Sequence, residues 1–153
     1  MTYTLIPETD DRLHQSAVPV SSEESIDELV ASMFEICRAS GGVALAAPQL
    51  GVMKQLIIIE HNNLVLVNPI VTPLCVYNMY DQNINTTFPI KEGCLSLPGV
   101  TRTIQRSILI KVVGDSYTPD AERAPIELYA YGVYSAIIQH EYDHLIGKLI
   151  TDY

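Results

Sequence analysis

Residues 137–149, IIQHEYDHLIGKL, place two histidines and two acids inside an otherwise apolar run. The period before Gly147 is helical, and positions three or four apart are neighbours on a helix, so His140 and His144 continue one apolar stripe. A lone histidine in a buried stripe is usually a core residue satisfied by a hydrogen bond. Two of them, with Glu141 directly after the first, indicate another role. The predicted buried stripe comprises Val133, Ala136, Ile137, His140 and His144.

The arrangement His-Glu-x-x-His is typical of a metal site on a helix. Imidazoles at positions i and i+4 can bind one ion, and a glutamate one position after the first ligand is turned about 100 degrees around the helix. From there Glu141 can take a proton from water instead of binding the metal. The sequence therefore predicts His140 and His144 as metal ligands and Glu141 as a general base.

A catalytic metal site needs a third protein ligand and one open position. Cys94, in KEGCLSLPG (residues 91–99), is the preferred candidate, because Gly93, Pro98 and Gly99 predict a shaped loop around it. A metal ion would keep that thiol deprotonated. His14 and His61 offer the other imidazoles, but both lie in polar stretches and are expected to be solvated.

The stretch GGVALAAPQLG, residues 41–51, is built from small residues around the single polar side chain of Gln49. Small residues allow another backbone to come close, and the Gln49 amide can donate a hydrogen bond to an oxyanion. By itself this pattern is weak, since such a stretch after a helix is usually a turn.

The remaining chain predicts an α+β fold in one domain, residues 1–153. An amphipathic helix is expected between Ser21 or Ser22, as caps, and Gly41. Residues 55–60 and 64–71 predict a hairpin, residues 72–87 a loop, and residues 107–114 and 126–132 two further strands. The helical stripe of the first segment consists of Ile26, Leu29, Val30, Met33, Phe34 and Cys37.

Composition excludes several classes of protein. The chain has 153 residues, 48% of them hydrophobic, and no apolar run of the roughly 20 residues that a membrane span requires. Nine basic and 18 acidic residues give a formal charge of −9, which argues against nucleic acid as a partner. The beginning lacks the pattern of an export or transit signal, so a cytoplasmic protein is expected. Three scattered cysteines do not predict a disulfide framework.

Taken together, the three motifs resemble those of peptide deformylases, which remove the N-formyl group from new polypeptides that begin with formyl-methionine. The family patterns G-x-G-x-A-A-x-Q, E-G-C-L-S and Q-H-E-x-D-H correspond to residues 42–49, 92–96 and 139–144. The matches are in order and span nearly the whole chain. The resemblance implies a deformylase-like fold, with antiparallel and mixed strands around a C-terminal helix that carries His-Glu-x-x-His and with an N-terminal amphipathic helix.

The resemblance also implies roles for single residues. Cys94, His140 and His144 would bind one divalent metal, Fe²⁺ in the cell and Zn²⁺ or Ni²⁺ in preparations. Glu141 would be the general base and acid, while the Gln49 side chain and the Leu95 backbone N–H would stabilise the oxyanion. The N-formylmethionyl peptide would contact Val43, Ala44, Ile90, Gly93, Val133, Ala136 and Ile137. Supporting contacts to the ligands are expected from Glu92, Arg106, Gln139 and Asp143.

Two departures from the family pattern carry expectations of their own. Ala44 replaces the second glycine of the first motif, and its methyl group is expected to narrow the cleft or to weaken substrate binding. Nine residues follow His144, whereas longer bacterial relatives continue into an extension that assists ribosome docking. The resemblance therefore implies at most weak ribosome contact, and short members of this kind are known from phages and viruses.

Three other functions remain open on the residues. A zinc metallopeptidase shares His-Glu-x-x-His, although it usually takes its third ligand downstream. A cysteine hydrolase would use Cys94 as nucleophile and His140 as base, and would work without metal. A metal-stabilised binding protein without turnover is the third, but a structural site prefers four protein ligands.

Overall fold

The computed structural model of the chain describes residues 2–75 and 86–153. These residues form two α-helices, α1 (Asp27–Ala39) and α2 (Val133–Leu145), and seven strands. The strands are β1 (Ala44–Ala46), β2 (Leu56–Ile59), β3 (Leu64–Pro73), β4 (Thr87–Cys94), β5 (Leu97–Ser107), β6 (Leu109–Thr118) and β7 (Ala121–Tyr131). Short 3₁₀ helices cover Asp11–His14, Ala47–Leu50, Glu60–Asn62 and Ile150–Asp152.

The strands form two antiparallel sheets. Five strands pair in the order β1-β2-β3-β6-β7, and β4 pairs with β5 in a separate hairpin. The predicted hairpin of β2 and β3 is confirmed, with Ile59 opposite Leu64. The predicted strands β6 and β7 are also confirmed, but both extend further, to a turn at Pro119 and Asp120. The fold is thus α+β with antiparallel sheets, as expected.

The interior strand β2 buries both faces, which explains its unbroken apolar sequence. Leu56 and Ile58 pack into a core that includes the α1 residues Leu29, Val30, Met33 and Cys37. Ile57 and Ile59 point to the opposite face and pack with Ile138 and Leu145 of α2. Alternate side chains of one strand therefore anchor the two helices on opposite faces of the sheet.

The start of α1 differs from the prediction. The helix begins at Asp27, and Ile26 occupies the N-cap position without a side-chain cap bond. Ser21 and Ser22 lie before the helix, because the preceding chain is held against the sheet: Val18 pairs with Lys54, just before β2, and the Val20 backbone exchanges hydrogen bonds with the Asn68 side chain of β3. The predicted serine caps were therefore wrong.

The predicted loop around Cys94 was also wrong. Cys94 is the last residue of β4 and pairs with Leu97, the first residue of β5, so that only Leu95 and Ser96 form the turn. Pro98 and Gly99 are tolerated in β5 because both are exposed and lie near the end of a two-stranded hairpin. Residues 76–85 of the predicted loop 72–87 lie outside the described residues, while its ends belong to β3 and β4.

Within the described residues, neither helix is long and apolar enough to cross a membrane.

Candidate metal centre

Two separate elements bring together the three predicted metal ligands. His140 and His144 are one turn apart on α2, and Cys94 reaches them from the end of β4. Their ligand atoms all lie within 4.8 Å of one another, and Cys94 Sγ is 3.3 Å from His144 Nε2. A thiolate and two imidazoles at this spacing fit one tetrahedral ion with a fourth position left open.

Glu141 adds a buried carboxyl group beside this cluster. It is 4% exposed, and among the described residues its Oε2 atom has no hydrogen-bond partner. Burial raises the pKa of Glu141 to about 7. The nearby charges have smaller effects, since His140 and Arg106 lower this pKa while Glu92 and Asp143 raise it. A carboxyl group with this pKa and a free oxygen can accept and release a proton near neutral pH.

The orientation of His140 is fixed by Glu92. His140 Nδ1 lies 2.8 Å from Glu92 Oε2, which turns the other ring nitrogen toward the cluster. Arg106 donates to both oxygens of Glu92, at 2.7 and 2.8 Å, and to Asp143 Oδ2 at 2.6 Å. Although burial opposes ionisation, the bonds from Arg106 and His140 hold the pKa of Glu92 at about 2. Glu92, Arg106 and Asp143 therefore form a buried ion network behind the ligands.

The two imidazoles have different electrostatic environments. Burial disfavours the charged form of His140, but hydrogen bonding with Cys94 and Glu92 outweighs it and raises the pKa of His140 to about 10. Burial lowers the pKa of His144 to about 3, and the neighbouring His140 contributes to the shift. His144 Nδ1 has no partner among the described residues. His144 is therefore already neutral, the form that binds metal.

Gln49 points its amide nitrogen at the same cluster. Its Oε1 atom accepts a hydrogen bond from the Ala46 N–H at 2.9 Å, which directs Nε2 toward Ser96 Oγ at 3.1 Å and Cys94 Sγ at 3.6 Å. The 3₁₀ turn Ala47–Leu50 that follows β1 supplies this geometry. Ser96 was not predicted as a site residue.

A cleft of about 600 Å³ opens beside the cluster. Its walls come from β1, from the β4–β5 hairpin and from the first half of α2. All the residues predicted to contact substrate line it, together with five of those predicted to take part in catalysis or metal binding: Val43, Ala44, Ile90, Gly93, Val133, Ala136, Ile137, Gln49, Cys94, Leu95, His140 and Glu141.

The stripe of α2 is buried only in part. Ala136 and His144 are 2% and 1% exposed, as predicted, but Val133 lies in the cleft. Val133 is 60% exposed, whereas the core side of α2 is formed by Ser135, Ile138 and Leu145. Val133 and Ile137 line the open cleft, so the sequence pattern alone predicted more burial than these two residues have. Ala44 shows the reverse: it is 5% exposed and packs in the core with Ile57 and Ile59. Its methyl group is therefore mostly withdrawn from the cleft.

Gln139 lies outside the ligand network. Its side chain donates to the Ser107 carbonyl at 2.9 Å and accepts from the Ser107 N–H at 3.0 Å, which ties α2 to the end of β5. His14 and His61 both lie away from the cluster: His14 is near Asp152, and His61 packs edge-on against Tyr134.

One further contact was not predicted. The Tyr153 hydroxyl donates to Asp143 Oδ2 and accepts from Arg106 Nη1, both at 2.7 Å. No motif in residues 145–153 predicts this contact, because the partner Arg106 is 47 positions away in the chain.

Comparison with known proteins identifies similar chains. A family model described as Polypeptide deformylase matches residues 3–153. Peptide deformylase 2 of Pseudomonas syringae pv. tomato is 36% identical over 164 residues, which cover 94% of this chain and 84% of that protein. The structure of PDF from a Vibrio parahaemolyticus bacteriophage in complex with actinonin has a TM-score of 0.81 at 30% identity and covers 95% of this chain and 98% of that one. A class I type b peptide deformylase from Acinetobacter baumannii with Met-Ala-Ser bound has a TM-score of 0.83 at 26% identity, over 99% and 98% of the two chains.

Proposed function

Because this chain belongs to the polypeptide deformylase family, we propose that Cys94, His140 and His144 hold its metal ion and that Glu141 carries out its proton transfers. Peptide deformylases are metal-dependent hydrolases, and the chain removes the N-formyl group from nascent peptides. The observation that carries the assignment of residues is the convergence of a thiol and two imidazoles within 4.8 Å, beside a buried carboxyl group.

The donor set supports a choice among a few metals. One thiolate and two imidazoles suit iron, nickel and zinc better than calcium or magnesium. We propose Fe²⁺ in the cell, with Zn²⁺ or Ni²⁺ able to replace it in preparations. When bound, the ion acts as a Lewis acid toward the formyl oxygen and toward water.

The chain's own groups supply the remaining chemistry. Glu141 takes a proton from the attacking water and passes it to the leaving amine, so that formate and a free N-terminal amine result. The Gln49 amide and the Leu95 backbone N–H donate hydrogen bonds to the oxyanion that develops on the formyl group. The hydrogen bond from Ala46 to Gln49 Oε1 supports this role, because it leaves Nε2 as the group that faces the cluster.

The cleft supports a formyl-methionyl peptide as substrate. Ile90, Ala136 and Ile137 give it apolar walls for the methionine side chain. β1 pairs with β2 on one side only, within the described residues, and Val43 and Ala44, at the start of β1, line the cleft. A peptide could add to that edge as a further strand. Nascent chains that carry the formyl group are made in the cytoplasm, which is the location we propose.

The methionine pocket gives the first testable prediction. Ile137→Ala removes apolar surface from the wall of the cleft, and kcat/KM for formyl-Met-Ala-Ser is expected to fall by about 10-fold, in line with ~1–3 kcal/mol for an apolar pocket contact. The matched control is Ile146→Ala, because Ile146 is 48% exposed at the other end of α2 and does not line the cleft. Initial rates of formate release measure both variants.

A second peptide separates this pocket from a general loss of stability. Formyl-Ala-Ala-Ser places no long side chain against Ile137, so Ile137→Ala should turn it over at the wild-type rate. Equal losses on both peptides would show that Ile137 does not contact the methionine side chain.

The proposed chemistry is tested by identifying which amide bond of the substrate is hydrolysed. Mass spectrometry of formyl-Met-Ala-Ser after incubation with the metal-loaded protein should show loss of the formyl group with both peptide bonds intact. Cleavage between Met and Ala would instead indicate a metallopeptidase, and an unchanged peptide would indicate a binding protein without turnover.

A further inference from the structure

The hydroxyl group of Tyr153 completes a closed set of hydrogen bonds with two buried charges. Arg106 Nη1 donates to the Tyr153 oxygen at 2.7 Å and to Asp143 Oδ2 at 2.6 Å. Tyr153 in turn donates to the same Asp143 oxygen at 2.7 Å. Arg106 is 2% exposed and Asp143 9% exposed, so neither can replace a lost partner with bulk water at little cost.

The other arm of Arg106 leads to a proposed metal ligand. Its Nε and Nη2 atoms donate to the two oxygens of Glu92, and Glu92 Oε2 is 2.8 Å from His140 Nδ1. A guanidinium group is planar and rigid. If its Nη1 end moves, the whole group moves, and the Nε and Nη2 donors that face Glu92 are displaced with it. Tyr153 is therefore connected to His140 through two buried side chains.

The local fold explains why Tyr153 reaches this position. Leu149 and Ile150 are buried with Leu13 and Ile104, which anchors the segment after α2 against β5. The Leu149 N–H donates to Asp152 Oδ2 and closes the 3₁₀ turn that presents Tyr153. The ring also lies near two cations, with Arg106 Cζ 4.9 Å and Lys148 Nζ 3.3 Å from its centroid.

We propose that Tyr153 is a positioning residue for the metal centre, whose hydroxyl group fixes Arg106 so that Glu92 holds the His140 ring in the orientation that binds metal. The inference rests on the proposed ligand set. Groups that orient a ligand directly commonly change metal affinity by about 10- to 100-fold when removed. Tyr153 acts one residue further away, and its hydroxyl is expected to contribute about 3- to 10-fold.

Tyr153→Phe tests this directly, because it removes the hydroxyl and keeps the ring. The affinity of the metal-free protein for Zn²⁺, measured by competition with a chromophoric chelator, should fall by about 3- to 10-fold. The d–d absorption of the Co²⁺ complex should also change, since it reports ligand geometry. Lys148→Met is the matched control: it removes the second cation from the same ring, leaves the hydroxyl bonds in place, and should bind Zn²⁺ as the wild type does.

A purely structural role gives a different result. In that case Tyr153→Phe lowers the unfolding temperature of the metal-free protein but leaves Zn²⁺ affinity and the Co²⁺ spectrum unchanged, which would overturn the inference. If the metal-free variant does not stay folded, the rate at which the purified Zn²⁺ complex loses its metal to excess chelator replaces the affinity. The inference then requires faster loss than in the wild type, and an equal rate contradicts it.

A thermodynamic cycle tests the route through Glu92. In a Glu92→Gln background, Tyr153→Phe should cause no additional loss of Zn²⁺ affinity, whereas fully additive losses would show that Tyr153 does not act through Glu92. Failure of the ligand assignment is distinguishable from both results. It would appear as a Cys94→Ala variant that binds Zn²⁺ as tightly as the wild-type protein does.

Discussion

Replacement of Glu141 by glutamine is expected to lower kcat for formyl-Met-Ala-Ser by about 100- to 10,000-fold, the range that general acid–base catalysis contributes. Glutamine has nearly the same shape and cannot accept the proton of the attacking water. The carboxyl group of Glu141 is buried with one oxygen unpartnered, so the substitution breaks no ion pair in the described residues. Steady-state kinetics should therefore show a change in kcat with KM nearly retained.

The effect must be separated from loss of metal or of fold. Glu141→Gln should keep one metal ion per chain, measured by elemental analysis, and should unfold near the wild-type temperature. Glu127→Gln provides the matched control, because Glu127 lies on the exposed side of β7 and pairs with Lys111 away from the cleft. Full activity of metal-loaded Glu141→Gln would exclude Glu141 as the proton carrier.

Removal of the metal is expected to have the other large effect. Lewis-acid catalysis supplies several kcal/mol of transition-state stabilisation, so chelated protein should release formate at least about 1,000-fold more slowly. Addition of Fe²⁺ or Ni²⁺ under anaerobic conditions should restore the rate. Cys94→Ala should lose activity in the same way because it removes one of the three proposed ligands.

Another cysteine, Cys75, provides the control for Cys94→Ala. Cys75 is exposed and outside the cleft, so Cys75→Ala should retain both the metal and the activity. A cysteine hydrolase would behave otherwise, since a Cys94 nucleophile with His140 as base would continue to work after chelation. Persistent activity in the verified absence of metal would therefore exclude the proposed role of Cys94.

The residues of α2 could be predicted because their relation is local. The four-residue interval between His140 and His144 places them on one helix face wherever the helix packs. Helical periodicity does not say what that face meets, and for this reason Val133 was expected in the core but is 60% exposed in the cleft. A pattern of apolar residues cannot distinguish a core from a pocket that binds an apolar side chain.

The β4–β5 hairpin shows a second limit. Gly93, Pro98 and Gly99 interrupt the alternation that indicates a strand, although an edge of a two-stranded sheet tolerates them. The presence of Cys94 in the site was predicted from its chemistry, while its place at the end of a strand was not. Contacts between positions far apart in the chain were the hardest to predict from the sequence. The hydrogen bonds of Tyr153 with Arg106 and of Ser96 with Gln49 depend wholly on the tertiary fold.

The most direct measurement is formate release by protein purified anaerobically and reconstituted with Fe²⁺ or Ni²⁺, with formyl-Met-Ala-Ser and acetyl-Met-Ala-Ser run side by side. We predict rapid release of formate from the formyl peptide and little or no release of acetate from the acetyl peptide. A folded, metal-loaded sample that releases no formate would contradict the proposed activity, and equal hydrolysis of both peptides would contradict a site specific for the formyl group.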